Sequence, residues 1–219
     1  MYSIAQIVEN LVKHKPYLSE SMSAGIINIS ALARQIQPDV EKILVKPVNT
    51  GAIVMALNRL IPYFQVREQG QLNKLLNSLG DIILRGNLCD YTFKNSPSLL
   101  DNHVRVLKEI ARQEDVFYTI VRGVFETNLV VSDSLEEMID ECFAAEQCIF
   151  KQNGLSSVTL KLPKGNILQP GFYYSIMKEL ALEGINLVEV VSSTNEFTVI
   201  VSNALIDKTF VVLKNIGRK

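Results

Sequence analysis

Apolar positions recur every three or four residues through the first 64 residues of the chain. Through much of the last 140 they recur every second residue instead. These are the side-chain periods of helix and strand, so the change divides the chain into an all-helical part and a mixed part. Ser3 precedes Ile4, Ile7, Val8, Leu11 and Val12, a capped helix with one apolar face. Pro16 opens a second helix through Tyr17, Leu18 and Met22, and Gly25 ends it. Ser30 precedes a short helix with Leu32, Ala33 and Ile36 on one face. Pro38 is expected to close that helix, with Asp39–Leu44 forming another. After Pro47, Thr50 caps a last helix from Gly51 to about Leu60. Residues 65–80 read as a polar connector with a short stripe at Leu72, Leu75, Leu76 and Leu79, punctuated by Gly70 and Gly80.

The mixed part contains a repeat. Thr127–Asp133, TNLVVSD, superposes on Phe197–Asn203, FTVIVSN, about 70 positions further on. Each copy reads strand, helix, strand, strand, helix. In the first, Asp81–Gly86 and Asn87–Lys94 are extended and Ser96-Pro97 starts a helix with Leu100, Val104, Leu107, Ile110 and Ala111 as its stripe. Strands then follow at Val116–Gly123 and Thr127–Ser132. Ser134, with Glu137 three residues on, predicts a capping box on the next helix. Glu136, Glu137, Asp140, Glu141 and Glu146 would be the solvated face of that helix. In the second copy Ser156–Leu162 alternates as a strand, Pro163–Gly171 is a loop, and Phe172–Gly184 is a helix with a glycine stop. Leu187–Val191 and Phe197–Val201 form a hairpin, and a helix from about Leu205 to Lys214 follows. This order fits α+β units of ferredoxin-like form, sheets with both helices on one face. Such a unit wants a fourth strand, which Ile82–Arg85 would supply by strand sharing between the copies.

Composition narrows the chemistry. The formal charge is -1, which gives no global pull towards nucleic acid or an acidic membrane. Residues 1–80 carry eight Lys/Arg against five Asp/Glu, and the remainder fourteen against eighteen. No uncharged apolar run approaches the ~20 residues of a membrane span, and the first residues lack a signal-peptide pattern. Cys89, Cys142 and Cys148 have no ligand-like spacing and read as free thiols of a reducing, cytoplasmic compartment. The two histidines, His14 and His103, fall in separate helices with no base–nucleophile pattern near them. This argues against an enzyme, and no metal or cofactor motif is present. The run from Ile29 to Leu60 looks like a helix-turn-helix module. Arg34, Lys42, Lys46, Asn49, Thr50, Asn58 and Arg59 would be its DNA-contacting residues, although Asp39 and Glu41 oppose a basic face. A protein-interaction or dimer-forming helical module is the other reading of residues 1–64.

The loop Lys164, Gly165, Asn166, Ile167, Leu168, Gln169, Pro170 and Gly171, with the turn Gly184-Ile185-Asn186 at the far end of its helix, resembles the ACT domains of aspartokinase regulatory regions. The first copy keeps Ser96-Pro97 but has Glu114-Asp115-Val116 where the second has Gly-Ile-Asn. The resemblance implies tandem ACT-like units at 81–154 and 155–219 behind a helical module at 1–64 and a connector at 65–80. It implies a non-catalytic regulatory protein that senses a small molecule, an amino acid, and forms a homodimer. Loop N–H groups at the helix start would receive the ligand carboxylate, with Asn166, Gln169 and Asn186 on its ammonium or side chain. The alternatives are a ligand-controlled DNA-binding regulator and an ACT pair that only holds a dimer together.

Overall fold

The computed structural model describes residues 2–69, 71–113 and 115–216. The chain divides into two compact units, Met1–Lys74 and Leu75–Lys219.

The first unit is helical: α1 (Ile4–Lys13), α2 (Pro16–Ser23), α3 (Ile29–Leu44) and α4 (Thr50–Gln69), with α5 (Gln71–Asn77) at the unit boundary. Ser3 caps α1 through a full capping box with Gln6, and Gly25 takes the left-handed conformation (φ 69°) after α2. The core gathers Val8, Val12 and Met22 with Leu32, Ala33, Ile36 and Val40 of α3 and Ile53 and Leu57 of α4. Pro38 does not divide α3, and Pro62 does not end α4. Each proline forfeits one N–H bond, to the carbonyl four residues back. Those residues, Arg34 and Asn58, are exposed, so water meets the freed carbonyl while the buried stripe holds the helix together. The cap of α3 is Asn28, whose Oδ1 accepts from the Ala31 N–H at 3.0 Å, and Ser30 lies inside the first turn.

Among its described residues the second unit is one six-stranded antiparallel sheet with four α-helices following the first strand. Its elements are β1 (Ile82–Lys94), α6 (Leu99–Ile110), β2 (Tyr118–Arg122), β3 (Glu126–Ser132), α7 (Glu136–Cys142), β4 (Cys148–Lys161), α8 (Phe172–Leu182), β5 (Glu189–Ser192), β6 (Glu196–Ser202) and α9 (Ile206–Asn215). The strand order is β2-β3-β1-β4-β6-β5. The two long strands lie side by side at the centre, and each serves both repeats. Leu88–Lys94 of β1 pairs with β3, while Ile82–Arg85 pairs with Ser157–Leu160 of β4. Reciprocally, Leu155–Lys161 of β4 pairs with β6, while Cys148–Gln152 lies against Asp90–Phe93. Ile82–Arg85 is thus the fourth strand of the second repeat, and Cys148–Gln152 is the fourth strand of the first.

On the helix side of the first repeat Cys89, Tyr91, Phe93, Leu129 and Val131 pack with Leu99, Val106, Leu135, Ile139 and Phe143. The opposite face buries Leu88, Val130, Leu155 and Ile200, one residue from each of the four inner strands, with Phe117, Val188 and Val191 against them. Polar pairs recur on this face: Asn128 Nδ2 donates to Asp90 Oδ1 at 2.7 Å, and the Thr159 and Thr198 hydroxyls meet at 2.8 Å. Burial holds the Asp90 carboxyl above the usual carboxylate range.

Several local expectations change. A 3-10 turn at Asp133–Leu135 precedes α7, so Ser134 is not a helix cap, and α7 stops at Cys142, well short of Glu146. By backbone position Ser98 is the N-cap residue of α6 and makes no side-chain cap bond; the capping bond comes from Ser96, whose hydroxyl accepts from the Leu99 N–H at 3.1 Å. The α8 stop is a Schellman turn on Gly184 (φ 66°), with Gly184 N–H to Ala181 O and Ile185 N–H to Leu180 O, both 3.0 Å. In the first repeat Asp115 takes the same conformation (φ 66°), while Glu114 lies outside the described residues.

Candidate ligand-binding site

The loop between β4 and α8 is bracketed by two left-handed glycines, Gly165 (φ 94°) and Gly171 (φ 86°), where only glycine avoids steric cost. Between them the chain makes a 3-10 turn, Asn166–Leu168. Asn166 is 2% exposed, and its amide is spent on the fold. Nδ2 donates to Pro163 O at 2.9 Å and Thr194 O at 3.0 Å, and Oδ1 accepts from the Tyr173 hydroxyl at 3.3 Å. This ties the loop to the β5–β6 hairpin. Asn95 does the same in the first repeat, donating to Gly123 O at 3.0 Å and accepting from the Thr127 hydroxyl at 2.6 Å.

With Asn166 committed, the open chemistry of the loop is backbone. Gly171 heads α8 with no side-chain cap. The leading N–H groups of a helix and its dipole favour an anion there. Lys164, Gly165, Ile167, Leu168, Pro170 and Gly171 are exposed, Leu168 at 86%, and Gln169 is half-buried with Nε2 donating to Pro170 O at 3.3 Å. The sequence reading missed Tyr173 and Ser192, whose hydroxyls meet at 3.2 Å beside the loop. A tyrosine in the first turn of the helix was their one legible signal. Asn186 is exposed but lies past the C-terminal end of α8. The eleven-residue helix separates it from the loop by about 16 Å, so one small ligand cannot touch both within a chain.

The matching helix start in the first repeat is filled. The Glu146 carboxylate accepts from the Ser96 hydroxyl at 2.5 Å, the Ser98 hydroxyl at 2.7 Å and Asn102 Nδ2 at 2.8 Å. Two other acidic groups of the expected solvated face also have partners: Lys151 Nζ lies 2.8 Å from both Glu136 and Asp140 and 4.9 Å from the centre of the Tyr91 ring. The ion pair holds the Glu136 carboxyl low and the Lys151 ammonium high. Burial, and then Glu136, push the Cys89 thiol up to about 11. That keeps it a protonated, inert core thiol.

In the helical unit, Thr50 is not a free reading residue. Its hydroxyl donates to Gln37 Oε1 at 2.7 Å, Gln37 Nε2 donates to Val48 O at 3.0 Å, and Glu41 accepts from the Val48 N–H at 2.9 Å. Asn49 caps the next turn through the Gly51 N–H at 2.7 Å. Arg34, Lys42, Lys46, Asn58 and Arg59 are exposed. Among the described residues the exposed face of α4 is Gly51, Met55, Asn58, Arg59, Pro62 and Tyr63, which carries a single charge. His14 accompanies Asn10 O at 2.7 Å on an exposed helix end, whereas His103 is buried against Tyr118. Among the described residues no helix is long and apolar enough to cross a membrane.

Comparison with solved structures decides the fold. The ligand-free regulatory subunit of aspartate kinase from Thermus thermophilus superposes with a TM-score of 0.51 at 12% identity, over 64% of this chain and 98% of that one. The covered share corresponds in size to Leu75–Lys219. This is a tandem ACT fold. Aspartate kinase from Synechocystis matches with a TM-score of 0.51 at 13% identity, over 63% of this chain and 26% of that one. The Clostridium acetobutylicum enzyme matches at 0.50 and 16%, over 63% of this chain and 34% of that one. No protein-family model and no curated protein matches the sequence. The ACT-like region therefore has the architecture of aspartokinase regulatory subunits, and among the described residues five helices, α1–α5, precede its first strand.

Proposed function

We propose that the chain is a non-catalytic, cytoplasmic regulatory protein that senses an amino acid through its ACT-like region, and that it works as a homodimer. The observation that carries this is the start of α8: an N-terminus opened by Gly171, uncapped, and lipped by exposed Ile167 and Leu168. Backbone N–H groups there suit a carboxylate, and the apolar lip suits a side chain or a second chain. The amino-acid class rests on the ACT resemblance. The dimer is supported by β2 and β5, the two ends of the sheet, whose outer edges pair with no strand among the described residues. Three unpaired cysteines, Cys148 among them exposed, support a reducing compartment.

Thermal unfolding against each of the twenty amino acids tests the reading, because a ligand that binds the folded state raises the midpoint. At least one is expected to do so, and Leu168→Asp, which sets a carboxylate beside the helix start, should abolish its effect. No shift with any of them would leave an ACT pair that only joins chains. Light scattering should give twice the chain mass.

A further inference from the structure

We propose that Glu146 is a tethered stand-in for a ligand carboxylate, filling the helix-start site of the first ACT-like repeat so that the chain keeps one open site instead of two. The inference rests on the reading of the α8 N-terminus as the site of the ligand carboxylate.

Glu146 accepts three hydrogen bonds, all from neutral donors: the hydroxyls of Ser96 and Ser98 and the amide of Asn102. Ser98 is the N-cap residue of α6, a helix of twelve residues, and Asn102 lies one turn on. The carboxylate therefore sits where a helix start favours an anion. Glu136 and Asp140, by contrast, are paired with an ammonium, Lys151. A negative charge held by hydroxyls, an amide and a helix start is held as a receptor would hold a free carboxylate.

The backbone delivers Glu146 there. α7 ends at Cys142, and a tight turn follows in which the Glu146 N–H donates to Phe143 O at 2.8 Å. The next residue is tied to β1, with the Lys94 N–H donating to Gln147 O at 3.0 Å. In the second repeat α9 continues to Asn215 where α7 has stopped, and α8 begins on a glycine with no side-chain cap. The repeats therefore differ in one functional respect: the first brings its own carboxylate to the helix start, and among the described residues the second brings none.

The test is chemical rescue with acetate as the probe. Glu146→Gly removes the tethered group and leaves its donors in place. Its unfolding midpoint should rise saturably in sodium acetate, by roughly 2–4 °C over sodium chloride at matched ionic strength. The wild-type chain and Glu146→Gln, whose side chain still fills the site, should respond equally to both salts. Adding Ser98→Ala and Asn102→Ala to Glu146→Gly should remove the rescue, and acetate should move the amide resonances of residues 96–102. If Glu146→Gly is unfolded in chloride, acetate should restore folding. Equal effects of acetate and chloride on Glu146→Gly, or an unrestored fold, overturns the proposal. Rescue in a chain whose wild-type form responds to no amino acid would support the stand-in site while removing the sensing role.

Discussion

His103 shows how much a single side chain can alter the acid behaviour of a repeat. It stands on α6 at 3% exposure, with Nδ1 2.7 Å from the Tyr118 hydroxyl and the ring 5.0 Å from that of Phe143. Nε2 has no hydrogen-bond partner among the described residues. Burial, and then the Arg122 charge, lower its pKa, while Glu146 acts the other way; its hydrogen-bond partner Tyr118 is itself pushed up to about 12 by burial. The unfolded chain thus protonates His103 more readily than the folded one. Stability is then full above the ordinary histidine pKa of about 6.5 and falls as pH drops through it. Denaturant midpoints should decline between about pH 7.5 and about pH 5.5, the range that brackets that pKa. His103→Gln, uncharged throughout and still able to meet Tyr118, should flatten the decline; an unchanged slope would remove His103 as its source. At Asn166 the expectation concerns loop order. Asn166→Ala strips two donated bonds from buried surroundings and should cost about 1–3 kcal/mol in denaturant unfolding, with faster amide exchange in the loop.

At the scale of elements, local periodicity carried most of the helices and both hairpins, because each is specified by side chains a few residues apart. Two kinds of feature escaped it. The first is proline on an exposed face. Pro38 and Pro62 look like breaks, yet apolar stripes on the other side carry α3 and α4 through them. Since Pro38 is only tolerated, Pro38→Ala should stabilise the helical unit by about 1–3 kcal/mol in urea. A loss of stability would mean that the freed Arg34 carbonyl or the proline ring has a role of its own. The second is the leading half of β4. Cys148–Asn153 has exposed Ile149 and Phe150 and runs into Gly154, so nothing local marks it as a strand. It exists because β1 pairs with it across more than fifty residues of chain. The candidate site was legible in the same uneven way. Gly165, Gly171 and the helix start could be read from glycine and proline placement. The commitment of Asn166 to Thr194, the filling of the first site by Glu146, and the distance of Asn186 all depend on contacts between elements far apart in sequence.

At the scale of the molecule, the exchange of strands makes the two repeats unequal partners. Residues 88–152 contain a whole ferredoxin-like unit in continuous order, since Cys148–Gln152 returns to lie beside β1. Among the described residues the second repeat takes its fourth strand, Ile82–Arg85, from the far side of the first. Leu155 also sits fully buried with Leu88 and Val130 of the first repeat, as does Ile200. A fragment of residues 155–219 should therefore stay unfolded alone, lacking an edge partner for β4 and a cover for that apolar face. A fragment of residues 75–154 should show a weak cooperative transition, and mixing the two should recover the native circular-dichroism and amide spectra. Leu155→Ala in the full chain should cost about 2–5 kcal/mol and lower exchange protection in both repeats together, because the core it vacates belongs to both. Protection lost in the second repeat only, or a dispersed amide spectrum from residues 155–219 alone, would show that each repeat folds on its own and that the shared strands join two finished domains.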